Sequence, residues 1–146
     1  VAAGVGKNVK LFLGGKTESS DLHGEPLAIV GIVRTIADGR FYNKGKMNQG
    51  MLIDVGRLVV VDVNGIEILI SERKHQPYDP EILRRVGICP EEKKIILVKS
   101  LAHFRAAYEP LAKEIFEVDL PGVAAINPAK IPYQNVLRPI FPLDEI

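Results

Sequence analysis

Val59-Val60-Val61-Asp62-Val63-Asn64-Gly65-Ile66-Glu67-Ile68-Leu69-Ile70 is the stretch that decides how this chain folds. Two apolar, β-branched runs flank Asn-Gly, the dipeptide best suited to a two-residue type I′ turn, in which both central residues need positive φ. Such a loop pairs Val63 with Ile66, Val61 with Ile68 and Val59 with Ile70, which lines up one wholly apolar face. The same register sets Asp62 opposite Glu67. Two adjacent carboxylates can serve acid/base chemistry or hold a metal. Facing each other beside a turn, they read more simply as a water-screened sheet edge.

Upstream of the hairpin the chain also reads as strands. Residues 8–13 carry Val9, Leu11 and Leu13 in alternation and stop at Gly14-Gly15. A polar loop follows, and residues 27–36 form a second Ile/Val-rich run that is expected to end in a turn at Asp38-Gly39. Downstream the period changes. Asp79-Pro80-Glu81 supplies an N-cap candidate, a proline at the first helical position and an acid in the first turn. Ile82, Leu83 and Val86 make an apolar stripe, and Gly87 closes the helix. Ile95-Ile96-Leu97-Val98 is a continuous apolar run, as a strand buried on both faces would be. A helix capped by Ser100 and carrying Leu101, Phe104, Ala107, Tyr108 and Leu111 should follow and kink or end near Glu109, because Pro110 interrupts it. Residues 115–118 read as a further strand, giving a β-α-β unit over 95–118. Pro121, Pro128, Pro132, Pro139 and Pro142 keep the tail irregular and extended. The expected fold is therefore α+β: a mostly antiparallel sheet, a C-terminal β-α-β unit and a Pro-rich tail, in a single domain over residues 1–146.

Bulk properties narrow the function. The 146 residues include 19 basic and 18 acidic side chains, a net charge of +1. That balance argues against nucleic acid as a partner, which would call for a basic face. No apolar run approaches the roughly 20 residues of a membrane span. The single cysteine, Cys89, rules out an internal disulfide and fits a reducing, cytoplasmic setting, where it reads as a small hydrophobe. The opening Val1-Ala2-Ala3-Gly4-Val5-Gly6 is no signal peptide and lacks an initiator Met, so an upstream segment is expected.

Few motifs carry chemistry. His23, His75 and His103 are far apart, and none sits in a metal-ligand pattern. Gly14-Gly15-Lys16-Thr17 ends like a phosphate loop, but Lys10 stands where its first glycine should be. Asp38-Gly39-Arg40-Phe41 and Lys44-Gly45-Lys46-Met47-Asn48 read as plain turns or as a mobile loop pair reaching over a ligand. The best constellation is Lys99-Ser100-Leu101-Ala102-His103-Phe104-Arg105, at a strand-to-helix junction. There, backbone N–H groups and a helix dipole favour an anion. Lys99, His103 and Arg105 add donors suited to a carboxylate or a tetrahedral oxyanion. The alternative is that Ser100 only caps, Lys99 and Arg105 point to water, and His103 satisfies a backbone carbonyl. Helical angles put His103 and Arg105 on opposite margins of the apolar stripe.

Taken in order, Leu13-Gly14-Gly15-Lys16-Thr17, Asp38-Gly39-Arg40-Phe41, Gln76-Pro77-Tyr78-Asp79 and Val98-Lys99-Ser100 with His103-Phe104-Arg105-Ala106-Ala107 form one series. Val118-Asp119, Pro121-Gly122 and Arg138-Pro139-Ile140-Phe141-Pro142-Leu143-Asp144 complete it. The series resembles the C-terminal domain of the microcystinase C (MlrC-like) metallopeptidase family of bacteria, over nearly the whole chain. The resemblance implies a zinc-dependent hydrolase of peptide or amide bonds. In that family the metal is held by an N-terminal domain, which is absent from these 146 residues and would be their partner. No metal ligand or cofactor is therefore assigned to this chain, and zinc is implied only for the full-length protein. Within the matched series, His103 is the catalytic candidate, and Lys99, Ser100 and Arg105 are candidates for binding substrate. His75 departs from the aliphatic residue the family pattern leads one to expect. The rival reading is a non-catalytic binding or oligomerisation module whose tail and sheet edge dock a partner or a second copy.

Overall fold

The computed structural model describes residues 3–14, 25–118, 127–131 and 133–145. Its centre is a four-stranded sheet in the order β1-β2-β3-β4. The strands are β1 (Asn8–Leu13), β2 (Leu27–Tyr42), β3 (Leu52–Val63) and β4 (Ile66–Ser71). β3 pairs antiparallel with β4 in the register read from the Asn-Gly turn, with Val63 opposite Ile66, Asp62 opposite Glu67 and Val59 opposite Ile70. Asn64 has φ +52° and Gly65 φ +88°, the positive pair a type I′ turn demands. The facing carboxylates are not a site. Asp62 receives Arg34 and the Gly65 amide, while Glu67 pairs with Lys93.

β2 pairs antiparallel with β3 and runs straight through Asp38-Gly39, where a turn was expected. The register shifts between Asp38 and Arg40, so the dipeptide forms a bulge inside the strand. Gly39 is needed there for closeness. A Cβ on it would lie 2.4 Å from the Gly56 carbonyl oxygen and 2.6 Å from Val55 Cγ2. A second shift, between Val33 and Thr35, changes which residues of β2 share a face with β3.

These shifts let one sheet serve two cores. Val33, Val59 and Val61 bury one side, with Val9, Leu11, Val63 and Ile70 against them. The opposite side buries Phe41, Ile53, Val55, Leu58 and Val60 under Ile82, Val86 and Ile88. The apolar face read from the hairpin is real, and its reverse is equally covered. The cover comes from helix α1 (Glu81–Arg84) and the residues that follow, which carry the predicted stripe and end at Gly87, φ +81°.

The C-terminal β-α-β unit is not formed. Neither residues 95–98 nor 115–118 form a strand, and Ile95 and Leu97 are each 86% exposed. Helix α2 is one turn, Arg105–Tyr108, and passes into a 3₁₀ turn at Glu109–Leu111, where Pro110 was expected to end it. Continuous apolarity favours burial on both faces, but a strand also needs an edge to pair with. Neither segment joins an edge of the β1-β2-β3-β4 sheet.

By its contacts the chain divides into two units, Val1–Leu11 with Ile29–Phe116, and Phe12–Ala28 with Glu117–Ile146. The second unit contains the Pro-rich tail. Its described part holds a 3₁₀ turn at Pro128–Lys130, with the Asn127 side chain accepting from the Ala129 amide. A clasp joins Arg138 to Asp144, whose carboxylate also accepts from the Ile140 amide. That amide, then burial acting against it, then Arg138 set the Asp144 carboxyl, which ends below its ordinary value. The residues 15–24, which include Lys16, Thr17 and His23, and those at 119–126 lie outside the described residues.

Candidate functional site

The first unit holds all the predicted site residues. Between α1 and α2 the chain passes through a 3₁₀ turn at Pro90–Glu92 and the extended segment carrying Lys99 and Ser100. Ser100 does not cap a helix. α2 begins five residues later and has no side-chain cap. Instead Ser100 Oγ accepts a hydrogen bond of 2.8 Å from Gln76 Nε2. The other end of the same amide, Gln76 Oε1, lies 3.0 Å from His103 Nδ1. A carbonyl oxygen can only accept, so in this arrangement Nδ1 carries a proton, and in the neutral ring the lone pair is on Nε2. One glutamine thus joins Ser100 to His103, and His103 is exposed to solvent.

The remaining candidates stand apart from that trio. Arg105 lies over the Phe104 ring at 5.5 Å and within 3.7 Å of Glu109. Lys99 is exposed. The helix dipole gives an anion little here, because the single turn of α2 sums too few peptide dipoles. Gln76 was legible only as part of a motif. Its partners are 24 and 27 residues away, and no spacing rule connects them.

Gln76 is positioned by its neighbours on both sides. His75 packs its ring against Phe41 at 6.2 Å and Tyr78 at 5.3 Å, and burial lowers its pKa. On the other side, Asp79 is 2% exposed and acts as a clamp. Its Oδ2 accepts from the amides of Lys44 at 2.9 Å and Gly45 at 2.7 Å, and its Oδ1 from the Glu81 amide at 2.9 Å. The Tyr78 hydroxyl meanwhile accepts from Asn43 and Asn48. The loop 43–50, read as a turn or a mobile cover, is therefore tied to the start of α1. Burial, with Asp79 next in effect, pushes the Tyr108 hydroxyl far up and keeps it protonated.

Other charged places are structural. Arg40 and Arg73 pair with Asp54, and Arg57 pairs with Glu72, around the β2 bulge. Cys89 Sγ lies 3.2 Å from Glu91, the hydrogen bond that most raises its pKa, so the thiol is poorly nucleophilic. Among the described residues no three His, Cys, Asp or Glu side chains come together as a metal site. The donor set of the described residues does not fit a zinc ion. No helix among the described residues is long and apolar enough to cross a membrane.

Known proteins share this architecture. The family model described as the MlrC C-terminus matches residues 1–135. Microcystinase C of Sphingomonas sp is 27% identical over 144 residues, covering 99% of this chain and 26% of that protein. A solved structure from Mesorhizobium sp. BNC1, named "putative metallopeptidase", aligns with a TM-score of 0.82 at 26% identity, over 99% of this chain and 28% of that one. The chain thus spans about a quarter of the length of these relatives. With the family model matching almost end to end, this chain belongs to the MlrC C-terminus family.

Proposed function

We propose that this chain is the C-terminal part of a metal-dependent hydrolase of peptide or amide bonds, and that it presents Ser100, His103, Lys99 and Arg105 to the substrate. The observation that carries the reading is the Gln76 bridge. It fixes the imidazole of an exposed histidine through Nδ1 and leaves Nε2 directed to accept a proton. The names of the relatives, Microcystinase C and a metallopeptidase, supply the reaction class. Lys99 and Arg105 would hold a substrate carboxylate or offset the charge of a developing oxyanion. Zinc, as the family implies, would be bound by residues outside this chain and would supply Lewis-acid activation there. A cytoplasmic setting suits the single thiol.

The test is kinetic and uses the complete polypeptide on a linear peptide substrate. His103→Ala should lower kcat about 10²- to 10⁴-fold with an unchanged fold. Gln76→Leu, which removes the bridge and keeps the bulk, should shift the pH profile and lower kcat less. Near-normal turnover in a well-folded His103→Ala protein would overturn the role.

A further inference from the structure

The run Ile95-Ile96-Leu97-Val98 has the composition and the alternating exposure of a strand and lacks its surroundings. Ile96 and Val98 are half-buried on their own unit, while Ile95 and Leu97 point the other way and are each 86% exposed. No backbone N–H or C=O of residues 94–101 pairs with another backbone group among the described residues. Water can satisfy those groups, but it gains nothing from four consecutive large aliphatic side chains. Leaving Ile95 and Leu97 in water forgoes the burial of two large aliphatic side chains. An unpaired apolar edge also invites aggregation. Sequences of this kind are typical of strands covered on both faces in parallel sheets.

We infer that this segment is an interaction surface, and that it adds as a strand to a sheet in the remainder of the same polypeptide. The occupant follows from length. The relatives matched over 99% of this chain are covered by it to only 26% and 28%, so most of each lies elsewhere. The placement follows from the chain itself. Lys94 and Lys99 bracket the run as exposed cations, which limits the pairing to four residues and discourages self-association. Strand addition supplies the main-chain hydrogen bonds and a cover for the outward side chains in one step. It also carries Lys99, Ser100 and His103, which directly follow, to the boundary between the two parts. The inference stands independently of the hydrolase reading, since it concerns backbone pairing and not turnover.

Hydrogen exchange on the complete polypeptide tests it, with a photoreactive benzophenone side chain placed at Leu97 in a parallel sample. The amides of residues 95–98 should exchange about a hundredfold or more slowly than in an unstructured peptide, in a monomer and independently of dilution. Irradiation should join position 97 to residues outside the 146 of this chain. Exchange at the unstructured rate would overturn the inference. So would adducts confined to these 146 residues. Protection or cross-linking that disappears on dilution would assign the surface to a second copy instead.

Discussion

Leu58-Val59-Val60-Val61 and Ile95-Ile96-Leu97-Val98 are similar in composition and opposite in circumstance. The first is buried along its whole length, with one hydrophobic cluster on each face of the sheet. The second belongs to no strand, and half of its side chains face water. What separates them is the distance to a pairing edge. β3 meets β4 across a two-residue turn, so its ladder closes with little loss of chain entropy. The run at 95–98 has no such neighbour, and β-propensity without a ladder leaves a strand-like segment short of its sheet. The candidate site begins where that second run ends, whereas the well-covered hairpin carries only ion pairs at its polar positions.

That contrast can be broken most directly by the same substitution at both places. Leu58→Ala, at 0% exposure, should cost about 3 kcal/mol in chemical denaturation. Leu97→Ala in this chain should cost less than about 0.5 kcal/mol. Comparable losses would mean that residues 95–98 are packed after all. In the complete polypeptide the Leu97 cost should rise toward that of Leu58.

Between the two regions lies the Asp79 clamp, and its removal shows how far order spreads from the sheet toward the site. Asp79→Ala strands three backbone amides that now donate to one carboxylate. The loss should be about 2–3 kcal/mol, read by thermal unfolding, with faster exchange across residues 43–50. Unchanged exchange there would show that the loop is held by Tyr78 and its asparagines alone.

The smallest effect concerns pH. Burial lowers the His75 pKa below its ordinary 6.5, so the folded protein resists protonation that the unfolded chain accepts. Its contribution is whole above pH 6.5 and declines as pH falls from there toward the depressed folded value. His75→Leu should therefore narrow the stability difference between pH 7.5 and 5.5. A variant that loses stability on acidification as steeply as the parent would show that the His75 ring is solvated.

Much of the architecture was legible because it is local. β1 falls on the residues its alternation marked, the Asn64-Gly65 register is met pair for pair, and the turns that follow α1 close at Gly87. The site was legible in part. Ser100 and His103 do come together, while Arg105 turns to Glu109 and Phe104. Gln76 stayed hidden because contact across 24 and 27 residues has no periodicity to betray it. Asp38-Gly39 misled for a physical reason as well. A glycine required by close backbone approach looks in sequence like one required by a turn.

By itself, then, the sequence determined where β1 and the β3–β4 hairpin run, where the tight turn falls and which residues are candidates for chemistry, since these depend on neighbours a few positions apart. Only the tertiary structure decided that β2 bulges and continues, that both faces of β3 are covered, and that Gln76 links Ser100 to His103. It also showed the run at 95–98 without a partner among the described strands. Each of these depends on which distant surfaces meet, and so on packing and hydrogen-bond closure over the folded chain.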